Sequence, residues 1–165
     1  MPPSRQLADL EETLDSLYET LGEAQKRLGY ANDIFEKNAI KQRIRKEVSP
    51  EICKYEAEYW NLLAQETRSY AVEEDEASSA IVEVQAQVVR VIESQPNLNE
   101  ELMQKLQAII DKLNEPETPV AAKAMLVLPL IPGILSYEVE LDTEKSLRMA
   151  FDPIKNLCKR ALKKK

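Results

Sequence analysis

Apolar residues recur at alternating steps of three and four along the start of this chain: Leu7, Leu10, Leu14, Leu17, Leu21, Ala24 and Leu28. Such spacing puts all of them on one narrow stripe of a helix, the pattern of a coiled coil or an antiparallel hairpin. Ser4 is placed to cap its start, and Gly29 stands where a C-cap glycine belongs. The spacing predicts a helix from Ser4 to Leu28, about 35 Å long at a rise of about 1.5 Å per residue. A turn, Gly29-Tyr30-Ala31-Asn32, follows it. Asp33 then caps a second helix, with Glu36 three positions on as its capping-box partner.

The second helix carries Ile40, Ile44, Val48, Ile52, Tyr55, Tyr59 and Leu62 or Leu63. Pro50 falls inside that series. Because the apolar phase runs through the proline, one long helix from Asp33 to Val72, kinked near Ser49, is expected. A new helix capped by Ser49 is the alternative. The acidic run Glu73 to Glu76 reads as a solvated turn opening a third helix, where negative charge suits the helix dipole. That helix runs to about Ser94 on Ala77, Ala80, Ile81, Val84, Val88, Val91 and Ile92. Asn99 caps a fourth, Glu100 to Leu113, and Thr118-Pro119 signals a fifth to about Leu128.

The pattern then changes. Residues 124–135 are almost wholly apolar but include Pro129, Pro132 and Gly133, which break regular helix. Residues 135–141 alternate apolar and polar, as an extended segment does. Asp142 or Thr143 caps a last helix burying Leu147, Met149 or Ala150, Ile154, Leu157 and Cys158 or Ala161, with Pro153 a source of kinking. The fold class expected is all-α. A long antiparallel hairpin, residues 1–72, joins a helical bundle, residues 73–165, with a short extended segment near residues 135–141.

Composition supports helix over sheet: 44% of residues are hydrophobic and 31% charged, yet only 5% are aromatic. It also removes most catalytic readings. There is no histidine and there are three glycines, so imidazole chemistry and glycine-rich phosphate loops have no parts to work with. Glu138, Glu140 and Asp142 share one face of the expected extended segment, but solvated neighbours of like charge do not make an acid pair. No metal and no cofactor are expected, and the chain reads as a non-enzyme.

A net charge of −7 disfavours nucleic acid. Cys53 and Cys158 belong to no CxxC pair, and no hydrophobic leader segment opens the chain, so free thiols in a cytoplasmic protein are expected. The stretch 124–135 is too short and too proline-interrupted to span a bilayer, which makes a membrane partner unfavoured.

Two features point instead to protein partners. Basic residues, among them Arg43 and Arg45, crowd the second helix. Such a run is first a solvated helix face and second a patch for an acidic partner. Tyr55, Tyr59 and Trp60 form the densest aromatic cluster; core packing comes first for them, and an interface anchor second. Specificity would come from charges flanking an apolar seam. A peripheral membrane protein using residues 124–135 and the Lys163 to Lys165 tail is the competing reading.

Three stretches carry a family resemblance. One is Ala57-Glu58-Tyr59-Trp60-Asn61-Leu62-Leu63-Ala64-Gln65, another Lys112-Leu113-Asn114-Glu115-Pro116. The third is Leu128-Pro129-Leu130-Ile131-Pro132-Gly133-Ile134-Leu135-Ser136-Tyr137-Glu138-Val139-Glu140-Leu141-Asp142-Thr143-Glu144. They resemble a cyanobacterial family of small helical effector-associated modules, found at the N-termini of multidomain conflict and signalling proteins. The resemblance implies an adaptor that recruits a matching module on another protein, a homotypic module being one candidate, with no catalytic residues. Tyr137 and Glu138 complete the candidate partner-binding residues, with Arg43, Arg45, Tyr55, Tyr59 and Trp60. No ATPase or protease domain follows the module here, so the chain reads as a stand-alone adaptor or an excised domain.

Overall fold

In a computed structural model of the chain, the described residues are 3–68, 70, 72–95, 97–137 and 139–163. The elements are α1 (Pro3–Tyr30), α2 (Ile34–Arg43), a π-helical segment (Ile44–Val48), α3 (Ser49–Thr67), α4 (Glu74–Ser94), α5 (Glu100–Leu113), α6 (Val120–Val127), a 3-10 turn (Leu128–Leu130), α7 (Ile131–Leu135) and α8 (Leu141–Lys163). The fold is all-α, with no strand among the described residues. Two compact units divide it, Met1–Tyr59 and Trp60–Lys165.

In the first unit α1 runs against α2 and the π segment. Leu7, Leu14 and Leu21 are buried, while Leu10, Leu17, Ala24 and Leu28 are half-buried. One member of each three–four pair thus faces the neighbour squarely and the other sits at the seam's edge. That is the outcome expected of a stripe with a single partner helix. Two further ties cross the seam. The Tyr18 hydroxyl donates to Glu56 Oε2 at 2.7 Å, and the Tyr59 hydroxyl donates to Glu11 Oε1 at 2.8 Å. Each side of the hairpin therefore supplies one phenol and one carboxylate.

Gly29 does not cap α1. The helix continues through Tyr30, and the Ala31 N–H still donates to the Arg27 carbonyl at 3.0 Å. Gly29 has no left-handed backbone, so its special freedom goes unused. Asp33 does cap α2, its carboxylate accepting from the Phe35 N–H at 3.1 Å.

The chain stays helical from Ile34 to Thr67, and the irregularity lies just before Pro50. Pro50 offers no N–H and its ring crowds the carbonyl four residues back. The ladder widens by one residue over Ile44–Val48, and the Ser49 N–H reaches the Ile44 carbonyl five residues back. The expected extension to Val72 is not observed. At Thr67 the hydroxyl turns back onto the Leu63 carbonyl at 2.6 Å, and Tyr70 N–H closes a tight turn onto Thr67.

In the second unit α4 packs most extensively on α8, and also on α5 and α6. Its buried face is Ala77, Ala80, Ile81, Val84, Val88 and Val91. These valines are poor helix formers, and packing against three helices holds them. Asn99 caps α5 by accepting from the Glu101 and Leu102 N–H groups at 2.8 and 3.3 Å. α6 begins one residue later than the Thr118-Pro119 signature suggests, with Pro119 itself in the capping position.

Pro129 and Pro132 do not unwind the chain. Each sits in the first turn of a short helical piece, where a missing N–H has no partner to lose. Among the described residues of 135–141 the expected strand-like segment is not formed. Leu135 ends α7, Ser136 and Tyr137 form a turn with N–H bonds to the Pro132 and Ile134 carbonyls, and Leu141 opens α8. Alternation over so short a stretch needs a neighbouring strand to become one, and the fold supplies none. In α8, Leu147, Ala150, Phe151, Ile154, Leu157, Cys158 and Ala161 are buried, whereas Met149 is 57% exposed.

Candidate interaction surface

Large apolar side chains are exposed in both units, and the hairpin turn gathers three of them. Helix α2 buries none of its residues. At its start Ile34 and Phe35 are 67% and 79% exposed, and Tyr30, across the turn, is 83% exposed. In a helix each Cα–Cβ bond tilts towards the N-terminus, so Ile34 and Phe35 lean out over the hairpin tip. The sequence reasoning missed these three residues. A signal was present: Ile34 and Phe35 precede Ile40 by six and five positions, off the three–four repeat that marks the seam.

Behind the tip, two grooves run between α1 and the returning helix. The nearer one, about 520 Å³, is lined by Thr20, Glu23, Ala24, Arg27, Ile40, Arg43, Ile44, Glu47 and Val48. Arg43 Nε meets Glu47 Oε2 at 3.1 Å within it, both side chains well exposed. Such a pair contributes well under about 1 kcal/mol. The farther groove, about 580 Å³, is lined by Asp9, Glu12, Thr13, Ser16, Leu17, Glu51 and Tyr55. The lining positions on α1 include 9, 13, 16, 20, 23 and 27, which step by four and three. Both grooves therefore open on one stripe of the hairpin, about 27 Å long at the helical rise.

The predicted site residues separate in space. Arg43 and Tyr55 line the two grooves of this stripe, and Lys54 Nζ lies 5.3 Å from the centre of the Tyr55 ring. Arg45 is exposed on the π segment. Tyr59 and Trp60 are 1% and 5% exposed; they are interior residues and offer no surface, because their rings fill the core. Tyr137 is half-buried in the second unit, with Lys105 Nζ 5.0 Å from its ring centre. Glu138 lies outside the described residues.

The chemistry available elsewhere is limited. Cys53 and Cys158 are free thiols. Burial pushes the Cys158 thiol up to about 11 against a smaller opposing pull from a Thr67 hydrogen bond, so at neutral pH it is a packed, protonated side chain. Among the described residues no group of three or more potential ligands is gathered to hold a metal ion, and no helix is long and apolar enough to cross a membrane. Protein-family models, curated proteins and solved structures offer no match to this chain.

Proposed function

We infer that the chain is a non-catalytic adaptor module that acts by helix–helix association, in a signalling or defence assembly of the kind its sequence resemblance suggests. One observation carries the reading: the first ten residues of the returning helix, Ile34–Arg43, include no fully buried side chain. In proteins it is tertiary packing of one face that stabilises most helices. An unburied face bearing Ile34 and Phe35 is the kind that another polypeptide completes. The competing lipid reading loses its apolar element. Ala124, Val127, Leu128, Ile131, Ile134 and Leu135 are buried in the second unit, and only Leu126 and Leu130 of that stretch are large and exposed.

A photo-crosslinking residue placed at Phe35, with Val82 on α4 as the control position, tests the reading in cells of the source organism. The expected result is a discrete protein adduct from position 35, abolished by Ile34→Asp and rebuilt with the purified partner. Equal, diffuse labelling from both positions would overturn it.

A further inference from the structure

Successive residues of an α-helix stand about 100° apart around its axis. On the side of α2 that faces α1 lie Ile40, half-buried, and Ile44 just beyond it, buried. Ile34, Phe35, Asn38, Lys41 and Gln42 occupy the opposite side, and Arg45 and Lys46 continue it into the π segment. The seven fall within about 140° of the helix circumference, centred about 140° from Ile40 and Ile44. All of them are exposed, and none lines either groove. Positions 34, 38, 41 and 45 step by four, three and four, the spacing of a helix–helix seam. The returning helix thus has a second stripe, turned away from α1.

Chemistry is sorted along that outer stripe. Ile34 and Phe35 stand at its start, 67% and 79% exposed. The amides of Asn38 and Gln42 follow, and the cations Lys41, Arg45 and Lys46 come two to three turns beyond Ile34, about 10 to about 18 Å along the axis. No carboxylate belongs to the stripe, and the nearby acids are turned elsewhere. Asp33 caps α2 through the Phe35 N–H, Glu47 meets Arg43 beside the near groove, and Glu36 stands about 160° from the centre of the stripe.

We propose that this outer stripe receives an acidic amphipathic helix of a partner protein, its apolar side chains set on Ile34 and Phe35 and its carboxylates on Lys41 and Lys46. The inference rests on the association reading above and names the chemistry of the partner. Three features support it. The three–four spacing suits a helix as the occupant. Cations without an acid on their own stripe are complemented by carboxylates from outside. With apolar groups at one end and cations at the other, only one direction of the incoming helix matches, since a reversed one sets its carboxylates on Ile34 and Phe35. A lipid surface fits less well, because Asp33 and Glu36 flank the apolar pair and would be carried to the anionic headgroups with it.

Fluorescence anisotropy with two synthetic helical peptides of about 21 residues tests the proposal on the full chain. Both carry leucines at one end of a three–four stripe; the other end holds glutamates in one peptide and lysines in the other. The acidic peptide is expected to bind, its dissociation constant rising at least about tenfold between about 0.05 and about 0.5 M salt, and the lysine peptide is not. Lys41→Glu/Lys46→Glu should weaken the acidic peptide about a hundredfold and admit the lysine peptide. Ile34→Asp should weaken either pairing about tenfold, whereas Glu36→Gln, off the stripe, should stay within about twofold of the wild type. These positions are all exposed, so circular dichroism should show every variant folded. In cells, a photo-crosslinking residue at Asn38 should give the same adduct as one at Phe35, through a peptide that bears carboxylates at helical spacing, and Lys41→Glu/Lys46→Glu should abolish it.

Equal binding of both peptides would overturn the proposal, as would binding of the acidic one that is indifferent to Lys41→Glu/Lys46→Glu or to Ile34→Asp. Binding to phosphatidylserine vesicles that Phe35→Ala abolishes would assign the stripe to lipid, and a dimer that Lys41→Glu/Lys46→Glu dissociates would assign it to a second copy; either overturns it as well. A position-35 adduct that survives the charge reversal removes only the acidic helix as partner. Absence of that adduct from the unreversed chain removes association itself.

Discussion

The two units use the same helical vocabulary to opposite ends. In Trp60–Lys165, α4 meets three neighbours and α8 buries seven side chains from Leu147 to Ala161. In Met1–Tyr59, α1 spans 28 residues and buries three leucines, while α2 buries none. A helix ringed by neighbours can bury a broad face. A helix with one neighbour can bury only a seam. The bundle therefore buries broad faces of its helices, although Val82, Val89, Leu126, Leu130 and Met149 stay exposed, whereas the hairpin buries a seam and exposes Tyr30, Ile34 and Phe35 together at its turn. Under the adaptor reading proposed above, recognition would fall on the unit with the narrower core, separating the demands of folding from those of binding.

The contrast can be broken by substitution. Phe151 is fully buried in α8, and Phe151→Ala should lower stability by about 3–5 kcal/mol in urea or thermal unfolding, through lost burial and a cavity. A loss below about 1 kcal/mol would mean that the bundle core is loosely packed.

Next in size is an alkaline effect confined to the bundle. An unfolded thiol ionises near 9.0 and the folded Cys158 at about 11. Between those values the unfolded chain releases a proton that the folded chain keeps, so stability falls as pH rises through that window. The loss attributable to this group approaches about 2–3 kcal/mol by the upper end, and below pH 9 its contribution is constant. Unfolding curves of the wild type and Cys158→Ala, compared across that range, isolate the term as a difference in slope. Parallel slopes would contradict it.

In the hairpin, Tyr59→Phe removes the hydroxyl that meets Glu11 and should cost about 1 kcal/mol. Smallest of all, Phe35→Ala should change stability by less than about 0.5 kcal/mol, since a side chain 79% exposed has little packing to lose. A large loss there would show that the tip is part of the folding core.

Local chemistry was the most legible layer of the sequence. Asp33 and Asn99 cap the helices they precede because a short side-chain acceptor before an apolar run has one obvious use. The leucine stripe of α1 foretold a seam, and the seam is there. Signals that depend on surroundings misled. Gly29 suggested a cap, but nothing in the turn required a left-handed residue, so the helix ran on through Tyr30. Residues 135–141 alternate like a strand, yet Leu135 ends one helix, Ser136 and Tyr137 turn, and Leu141 opens the next. Tyr59 and Trp60 drew attention as aromatics and proved to be interior. The exposed tip was written as a departure from periodicity at Ile34 and Phe35. A search for repeats passes over departures, since an off-phase apolar residue marks what the fold does not use.

The widened turn before Pro50 has a geometric result of its own. An extra residue in one helical turn rotates everything on its far side by about 100° relative to an uninterrupted helix. The direction in which α2 presents Ile34, Phe35, Lys37 and Lys41 is thus set by where Ile44–Val48 places its added residue. A proline 15 residues along the chain from Phe35 acts as the compass by which the tip is aimed.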